Sequence, residues 1–344
     1  VRVLQVDSGR EWRGGQNQVR LLCRELAREA DVDQVLVTKR GSELARRAAA
    51  DGTTVSETPW GWGLDPRAWF RVNLAISDFR PDIVHAHDAH ALWMARHTIR
   101  TVRLVATRRV DFHVGRFSTW RRADRIIAIS KAVKDILAAD GVPATEVTVV
   151  PDGIDPDEIR RSAERPLNVR AQLGLPAGTR IAVNVAALVA HKDQRTLIRA
   201  AGHARAARPD LHWVIAGDGE LRGSLTAEIA RLGLADRVHL LGYVEAADAL
   251  IRESDVFVMS SKEEGLGSVI LNALALGKPV VATAAGGIPE ILPSEALVPV
   301  GDAVGLAGKV LDALSHPPSR IPFPERFTAS AMAQGVLALY RSLL

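Results

Sequence analysis

Apolar residues along this chain come in short runs, each followed by a polar or glycine-rich turn and then by a stretch with helical spacing. Residues 1–6 (VRVLQV) read as an opening strand, and residues 19–29 set Leu21, Leu22 and Leu26 on a helical face. The alternation continues with a strand at 34–38, a helix at Glu43–Ala50, a Trp- and Gly-rich loop at 58–65 and a helix at Pro66–Phe79. Residues 83–87 (IVHAH), 103–107, 126–130 and 147–150 read as further buried strands, with a helix at Lys131–Ala139. A stretch rich in proline and charge, 156–166, interrupts the series. It restarts with strand 181–186, helix 194–208 capped by Asp193, strand Leu211–Ala216, strand 237–241 and helix 245–253. Strand Val256–Met259, helix 268–276, strand 279–283, strand 297–300 and helices 304–314 and 329–344 complete it. Alternation on this scale predicts an α/β protein with parallel sheets joined by helical crossovers. It occurs twice, and the boundary is expected near residue 163.

The run from Val256 to Pro289 (VFVMSSKEEGLGSVILNALALGKPVVATAAGGIP) concentrates the candidate chemistry. It predicts strand, glycine loop (Gly265, Gly267), helix, strand, a second glycine loop (Gly286-Gly287) and a further helix. Ligands of parallel sheets bind beyond the carboxyl ends of the strands, so both loops face the binding edge. The amides of Gly267, Ser268 and Val269 are then able to meet an anion at a helix N-terminus, with the carboxylate of Glu264 beside them. Such a site suits a ligand carrying both a phosphate and hydroxyl groups.

Composition narrows the classes. A length of 344 residues, 47% hydrophobic and 24% charged, suits two globular domains. The single cysteine, Cys23, forms no intrachain disulfide and reads as a buried thiol in a reducing compartment. No apolar run approaches the ~18–20 residues of a membrane span, and no secretory leader is evident, so a soluble, cytoplasmic protein is expected. The net charge of +4 is uneven: residues 1–150 hold 24 Lys and Arg against 18 Asp and Glu, together with six of the seven tryptophans. That half is suited to a peripheral contact with anionic lipid or to an acidic acceptor, or else is a solvated surface over an aromatic core. The same two readings apply to 116–125, where Phe117 and Trp120 lie among arginines. The loop with Trp60 and Trp62 is either a lid or packs its rings beneath itself. No G-x-G-x-x-G follows the first strand, which argues against a nicotinamide enzyme. His85 and His87 share a strand face beside Asp88 and His90; without a Cys or carboxylate cluster they read as a polar strand end rather than a metal site.

The 256–290 motif resembles the donor site of the retaining GT-B glycosyltransferases of family GT4. Glu264-Gly265-Leu266-Gly267, Asn272-Ala273, Gly277-Lys278-Pro279-Val280-Val281-Ala282 and Gly286-Gly287-Ile288-Pro289-Glu290 follow the family's order. Elsewhere the resemblance matches Gly14-Gly15 to the glycine loop on the donor pyrophosphate, and Gly217-x-Gly219 and Tyr243-Val244 to nucleotide contacts. It matches Pro151-Asp152-Gly153-Ile154-Asp155 to the turn into the interdomain linker and Lys192 to a phosphate-binding lysine. Arg108-Arg109-Val110-Asp111-Phe112-His113 is similar to a bacterial subgroup associated with cell-envelope and lipopolysaccharide-type sugars. Arg109 stands at the family's histidine position, and Asp111 and His113 are the candidates for orienting the acceptor hydroxyl.

The resemblance implies a GT-B fold: two facing Rossmann-like domains, an acceptor domain at 1–163 joined by the last helix 329–344 crossing back, and a donor domain at 164–328, with the site in the cleft. It implies metal-independent transfer of a sugar from a nucleotide-sugar donor to a glycan, glycolipid or small-molecule acceptor, with retention at the anomeric carbon. No cofactor and no nucleic-acid partner are expected. Glu264 would hold sugar hydroxyls, and Lys192 with the amides of Gly265, Leu266, Gly267 and Ser268 the phosphates. Two positions depart from the pattern: Asn272 replaces the carboxylate that takes the ribose hydroxyls, and Ala187 replaces a phosphate-binding arginine, for which Arg109 or Arg13 are substitutes. They keep open an alternative, a non-catalytic or impaired relative that binds nucleotide or glycan. A sugar-nucleotide epimerase or a phosphorylase on the same fold fits the glycine spacing and the lysine context less well.

Overall fold

The computed structural model of the protein describes residues 1–61, 65–95, 102–115, 119–316 and 321–344. The expectations placed on Trp62 and Phe117 lie outside these residues. The chain divides into two compact units, Val1–Asp155 with Glu325–Leu344, and Pro156–Pro324.

The first unit runs β1 (Arg2–Asp7), α1 (Gly14–Leu26), β2 (Asp33–Lys39), α2 (Glu43–Ala50), β3 (Val55–Thr58), α3 (Pro66–Phe79), β4 (Ile83–Ala86), α4 (Ala89–Ala95), β5 (Arg103–Arg108), β6 (Arg125–Ala128), α5 (Lys131–Ala139) and β7 (Val147–Val149). Its strands form one parallel sheet in the order β3-β2-β1-β4-β5-β6-β7. β1 pairs on both sides, Leu4 opposite Val35 and Val84; it buries Val3, Leu4 and Val6 together with the polar Gln5 and Asp7. Ser42, Asp65 and Ser130 cap α2, α3 and α5 by accepting a backbone amide. β3 and α4 were not expected from the sequence: each is too short to show a period. The Trp-rich loop buries Trp60, and Trp120 is buried beneath the Arg108 guanidinium, 5.1 Å from its ring centre; both rings serve packing.

The second unit begins earlier than expected. Residues 156–162 form a helix, α6 (Pro156–Ser162), where a linker was expected. Proline begins it, Asp157 and Glu158 occupy the first turn and Arg160 and Arg161 the last, matching the helix dipole at both ends. There follow α7 (Val169–Gln172), β8 (Arg180–Val185), α8 (Gln194–Ala204), β9 (Leu211–Ala216), α9 (Arg222–Arg231), β10 (Val238–Gly242), α10 (Ala247–Glu253), β11 (Val256–Met259), α11 (Ser268–Ala275), β12 (Val280–Thr283), β13 (Leu297–Val298) and α12 (Ala303–Ser315). α6 packs against α10 and α11, which explains why the unit starts at Pro156 and not near 163. The sheet order is β10-β9-β8-β11-β12-β13, again all parallel. Its core gathers Leu197, Trp213, Ile215, Val256, Val258 and Leu306. After Gly286-Gly287 the chain makes a single 3-10 turn (Ile288–Glu290), not the expected helix.

The last helix, α13 (Ala329–Leu343), belongs to the first unit. It is capped by Thr328 and buries Met332, Val336, Leu337 and Tyr340 against Val3, Leu22, Ile83 and Val105. Gly153 is where the chain admits that return: Ile154 bridges to Thr328, and a Cβ on Gly153 would overlap the Thr328 carbonyl.

Candidate functional site

In each sheet the direction of winding reverses at one point, between β1 and β4 in the first and between β8 and β11 in the second. The loops leaving those strands part there and open a crevice at the carboxyl edge.

In the second unit the crevice is bordered by the 3-10 turn Ala190–Lys192 after β8 and by residues 260–267 after β11. The two loops are tied together. Lys262 N–H donates to the His191 carbonyl at 2.8 Å, Ser260 Oγ to the Lys192 carbonyl at 3.1 Å, and Thr283 Oγ1 to the Ser261 carbonyl at 2.6 Å. The bracing sets Lys192 Nζ directly on Glu264 Oε2, an oxygen that Ser261 Oγ also reaches at 3.2 Å. The two side chains are 18% and 12% exposed, so the ion pair is lodged in the crevice yet open to it. Lys192 and Glu264, expected to serve different parts of a ligand, are thus paired with each other. Asp193 does not cap α8; its Oδ2 accepts from Thr196 Oγ1 at 2.7 Å instead.

The glycines here have separate jobs. Gly267 has φ +85° and leads into α11 with no side-chain cap, so the first-turn amides of Ser268 and Val269 lack intrahelical partners. Gly265 and Leu266 are buried beneath this turn. Gly286, with φ +49°, lies where a Cβ would overlap the Glu264 carbonyl, and Gly287 N–H donates to that oxygen at 3.0 Å. The second glycine pair therefore locks the backbone of Glu264. Gly217 and Gly219 pack their bare backbone on the carbonyls of Ala186 and Leu188. That contact, in the loop before Lys192, explains both glycines without a ligand. Tyr243 is exposed and Val244 half-buried after β10. Ala187 offers its carbonyl to Gln194 Nε2 at 2.9 Å and brings no charge. Asn272 is engaged: its Nδ2 donates to Asp248 Oδ1 at 2.8 Å. Nothing in the sequence marked Asp248, an acidic residue in the first turn of a helix.

In the first unit Gly14 and Gly15 begin α1, although a loop was expected, behind an Arg13 whose side chain makes no cap. Beside them lies Arg109, whose Cδ is 3.8 Å from the place of a Gly15 Cβ. Its Nε meets Asp152 Oδ1 at 3.2 Å and its Nη1 the His87 carbonyl at 3.5 Å. Burial raises the Asp152 carboxyl above its ordinary value against the pull of Arg109. Burial, and then the nearby Asp88, push Asp7 up to about 7; the Gly9 amide, Arg109 and Gln16 oppose the shift. His85 and His87 are held neutral by burial, their pKa values well below the usual range. Three of their four ring nitrogens belong to a buried chain of hydrogen bonds, and His87 Nδ1 has no partner among the described residues. His87 Nε2 donates to Gln5 Oε1 (2.8 Å) and Gln5 Nε2 to Tyr340 Oη (3.4 Å); Tyr340 joins His85 Nδ1 (2.6 Å), and His85 Nε2 joins Thr107 Oγ1 (2.6 Å). His113 stands apart, exposed and paired with Asp140 at 2.7 Å. Asp111 is half-buried, within electrostatic reach of Arg108. Among the described residues no three His, Cys, Asp or Glu side chains gather as a metal site, and no helix is long and apolar enough to cross a membrane.

Two doubly wound units with a charged crevice and an uncapped helix at the second switch point define a GT-B glycosyltransferase architecture. The crystal structure of Anabaena Alr3699/HepE in complex with UDP and glucose superposes with a TM-score of 0.83 over 99% of both chains, at 21% identity. The family described as Glycosyltransferase Family 4 matches residues 12–158, and the one described as Glycosyl transferases group 1 matches residues 167–332. The chain thus carries a Glycosyltransferase Family 4 domain followed by a Glycosyl transferases group 1 domain. It is 29% identical over 205 residues (57% of this chain, 53% of the relative) to the 2-deoxystreptamine glucosyltransferase of Streptomyces kanamyceticus. It is 34% identical over 161 residues (46% of each) to the lipopolysaccharide core biosynthesis glycosyltransferase LpsE of Rhizobium meliloti. The matches span about half the length of these curated relatives.

Proposed function

We propose that the protein is a retaining glycosyltransferase that moves a sugar from a nucleotide-sugar donor to an acceptor hydroxyl. The observation that carries this reading is the Lys192–Glu264 pair, held in the second crevice beside the uncapped start of α11. A donor diphosphate draws Lys192 away, and the freed carboxylate of Glu264 takes up sugar hydroxyls. The first-turn amides of α11 and Lys192 then face the charge that grows on the departing phosphate, the term with the most leverage on rate. The departing phosphate accepts the acceptor's proton on the donor's own face, so neither a second carboxylate at hydrolase spacing nor a metal is required. Gly14, Gly15 and Arg109 form a basic, amide-rich edge of the first unit, suited by itself to a phosphate. Asp111 and His113 serve the acceptor only if the His113–Asp140 pair opens.

The acceptor is a cell-envelope glycan or glycolipid, a reading supported by the relative named for lipopolysaccharide core biosynthesis. Support also comes from α3, which exposes Trp69, Phe70 and Leu74 beside Arg67 and Arg71. Rings and guanidinium groups on one helix suit the headgroup region of an anionic membrane. A small aminocyclitol is the competing acceptor, favoured by the relative named for 2-deoxystreptamine.

The test is thermal stabilisation by UDP, GDP, ADP and their sugars, with Lys192→Ala and Glu264→Ala alongside, followed by an acceptor screen with the donor that binds. One nucleotide is expected to stabilise the native chain and to lose most of its effect in Lys192→Ala, and its sugar conjugate to be turned over with anomeric retention. Binding without turnover against glycan, glycolipid and aminocyclitol acceptors supports the non-catalytic alternative. The absence of binding at millimolar concentration overturns the donor-site reading.

A further inference from the structure

The amide at 272 is oriented by a carboxylate that the sequence pattern does not contain. Asp248 lies in the first turn of α10, and its Oδ1 accepts from Asn272 Nδ2 at 2.8 Å while its Oδ2 accepts from Ser162 Oγ at 2.6 Å. A carboxylate only accepts, so the amide nitrogen must point to Asp248 and the amide oxygen away from it. Asn272 Oδ1 has no hydrogen-bond partner among the described residues. Ser268 and Asn272, one turn apart on α11, are partly exposed, whereas Ile270, Leu271 and Ala273 between and beside them are buried. Both residues therefore lie along one open stripe, with Asn272 about 6 Å along the helix axis from the amides that meet a phosphate. In a nucleoside diphosphate the group at about that remove from a phosphate is the ribose with its vicinal hydroxyls.

We propose that Asp248 is the positioning residue of a ribose site, fixing the Asn272 amide with its oxygen toward the ribose diol and standing behind it as the negative charge that Asn272 lacks. The pair divides between two helices what a single carboxylate would do: the accepting oxygen comes from α11 and the charge from α10. This rests on the donor-site reading above and assigns to it a residue outside the sequence motif. A glutamate at 272 would meet the Asp248 carboxylate at hydrogen-bonding distance. In this chain the amide is therefore the better partner, and the departure at 272 is matched by Asp248 rather than left as a loss.

The experiment is calorimetric titration of the full chain with UDP, 2′-deoxy-UDP and inorganic pyrophosphate, comparing native protein with Asp248→Ala, Ser162→Ala and Asn272→Glu, and with Asn272→Glu combined with Asp248→Ser. The native chain should prefer UDP to its deoxy analogue by about tenfold, the worth of one well-made hydrogen bond. Asp248→Ala should bring that preference below about twofold and leave pyrophosphate binding unchanged, because its amide is free to turn. Ser162→Ala removes the outer hydrogen bond only and should keep the preference. Asn272→Glu should weaken UDP, and the added Asp248→Ser should restore it. An unchanged ribose preference in folded Asp248→Ala, or no gain on adding Asp248→Ser to Asn272→Glu, overturns the inference while leaving the donor site intact. If UDP, GDP and ADP all fail to bind the native chain, the donor-site reading itself falls, and this inference with it.

Discussion

The two sheets are wound alike, yet they treat the polar groups at their switch points in opposite ways. In the first, Gln5, His85, Thr107 and Tyr340 are sealed into a hydrogen-bonded chain under α13, and Asp7 and Asp152 are buried around Arg109. In the second, Lys192 and Glu264 are joined by an ion pair whose side chains remain partly exposed. Buried, satisfied polar groups fix one arrangement and are costly to disturb, whereas a partly solvated pair can be exchanged at modest cost. The same topology thus leaves one edge sealed and the other partly open to solvent. If this contrast is right, substitutions at the second edge should cost rate with little stability, and substitutions at the first the reverse.

The largest effect should come from the second edge. Glu264→Ala and Lys192→Ala should each lower turnover by about 10²–10³-fold, the scale of losing one charge-stabilising group at a reacting centre. Neither should move the melting temperature by more than a few degrees; a fall in stability matching the fall in rate would break the contrast. Next comes Gly286→Ala, expected to cost about 3–4 kcal/mol in denaturant titration. Its φ of +49° is unfavourable for alanine, and the new Cβ would overlap the Glu264 carbonyl. Turnover should fall with it because the Glu264 backbone must shift. At the first edge, Tyr340→Phe leaves both His85 Nδ1 and Gln5 Nε2 without a partner, so a loss of about 2–3 kcal/mol is expected. Its initial rate, measured well below the melting temperature, should stay within twofold of native.

What the sequence disclosed follows the same division. The buried parallel strands were legible because a strand covered on both faces must be apolar nearly throughout, as in Val256–Met259 and Leu211–Ala216. Glu264, Lys192 and the glycine before α11 were legible because they sit in a local pattern of strand, turn and helix. What escaped depends on partners far along the chain. Asp248 reaches Asn272 across 24 residues, and Tyr340 reaches His85 across 255. Neither meeting leaves a local mark. Gly217, Gly219 and Gly286 were recognised as glycines of interest, but the loops they make room for became visible only in three dimensions. The helix at Pro156–Ser162 is ambiguous for another reason: proline and charge are a linker signature, yet proline at the start, acids in the first turn and arginines in the last describe a helix equally well.

The smallest effect concerns Asp7, and it sharpens the contrast through pH. Burial and the neighbouring Asp88 raise this carboxyl from an ordinary 3.8 to about 7 in the folded protein. The folded state therefore binds a proton more tightly than the unfolded one. The associated stability is complete below the unfolded value and is lost as pH rises through about 7. His85 and His87, kept neutral by burial, act in the opposite direction: their share is present above 6.5 and is lost as pH falls. The balance at any one pH mixes both, but comparison with Asp7→Asn isolates the carboxyl, since the amide oxygen can still accept from Gly9 N–H and carries no charge. The variant should gain about 1–2 kcal/mol over native protein between pH 5.5 and pH 8, read as a difference in unfolding free energy that grows with pH. A difference that stays flat, or shrinks, would mean that Asp7 is not desolvated as its burial implies, and that the first edge is as open as the second.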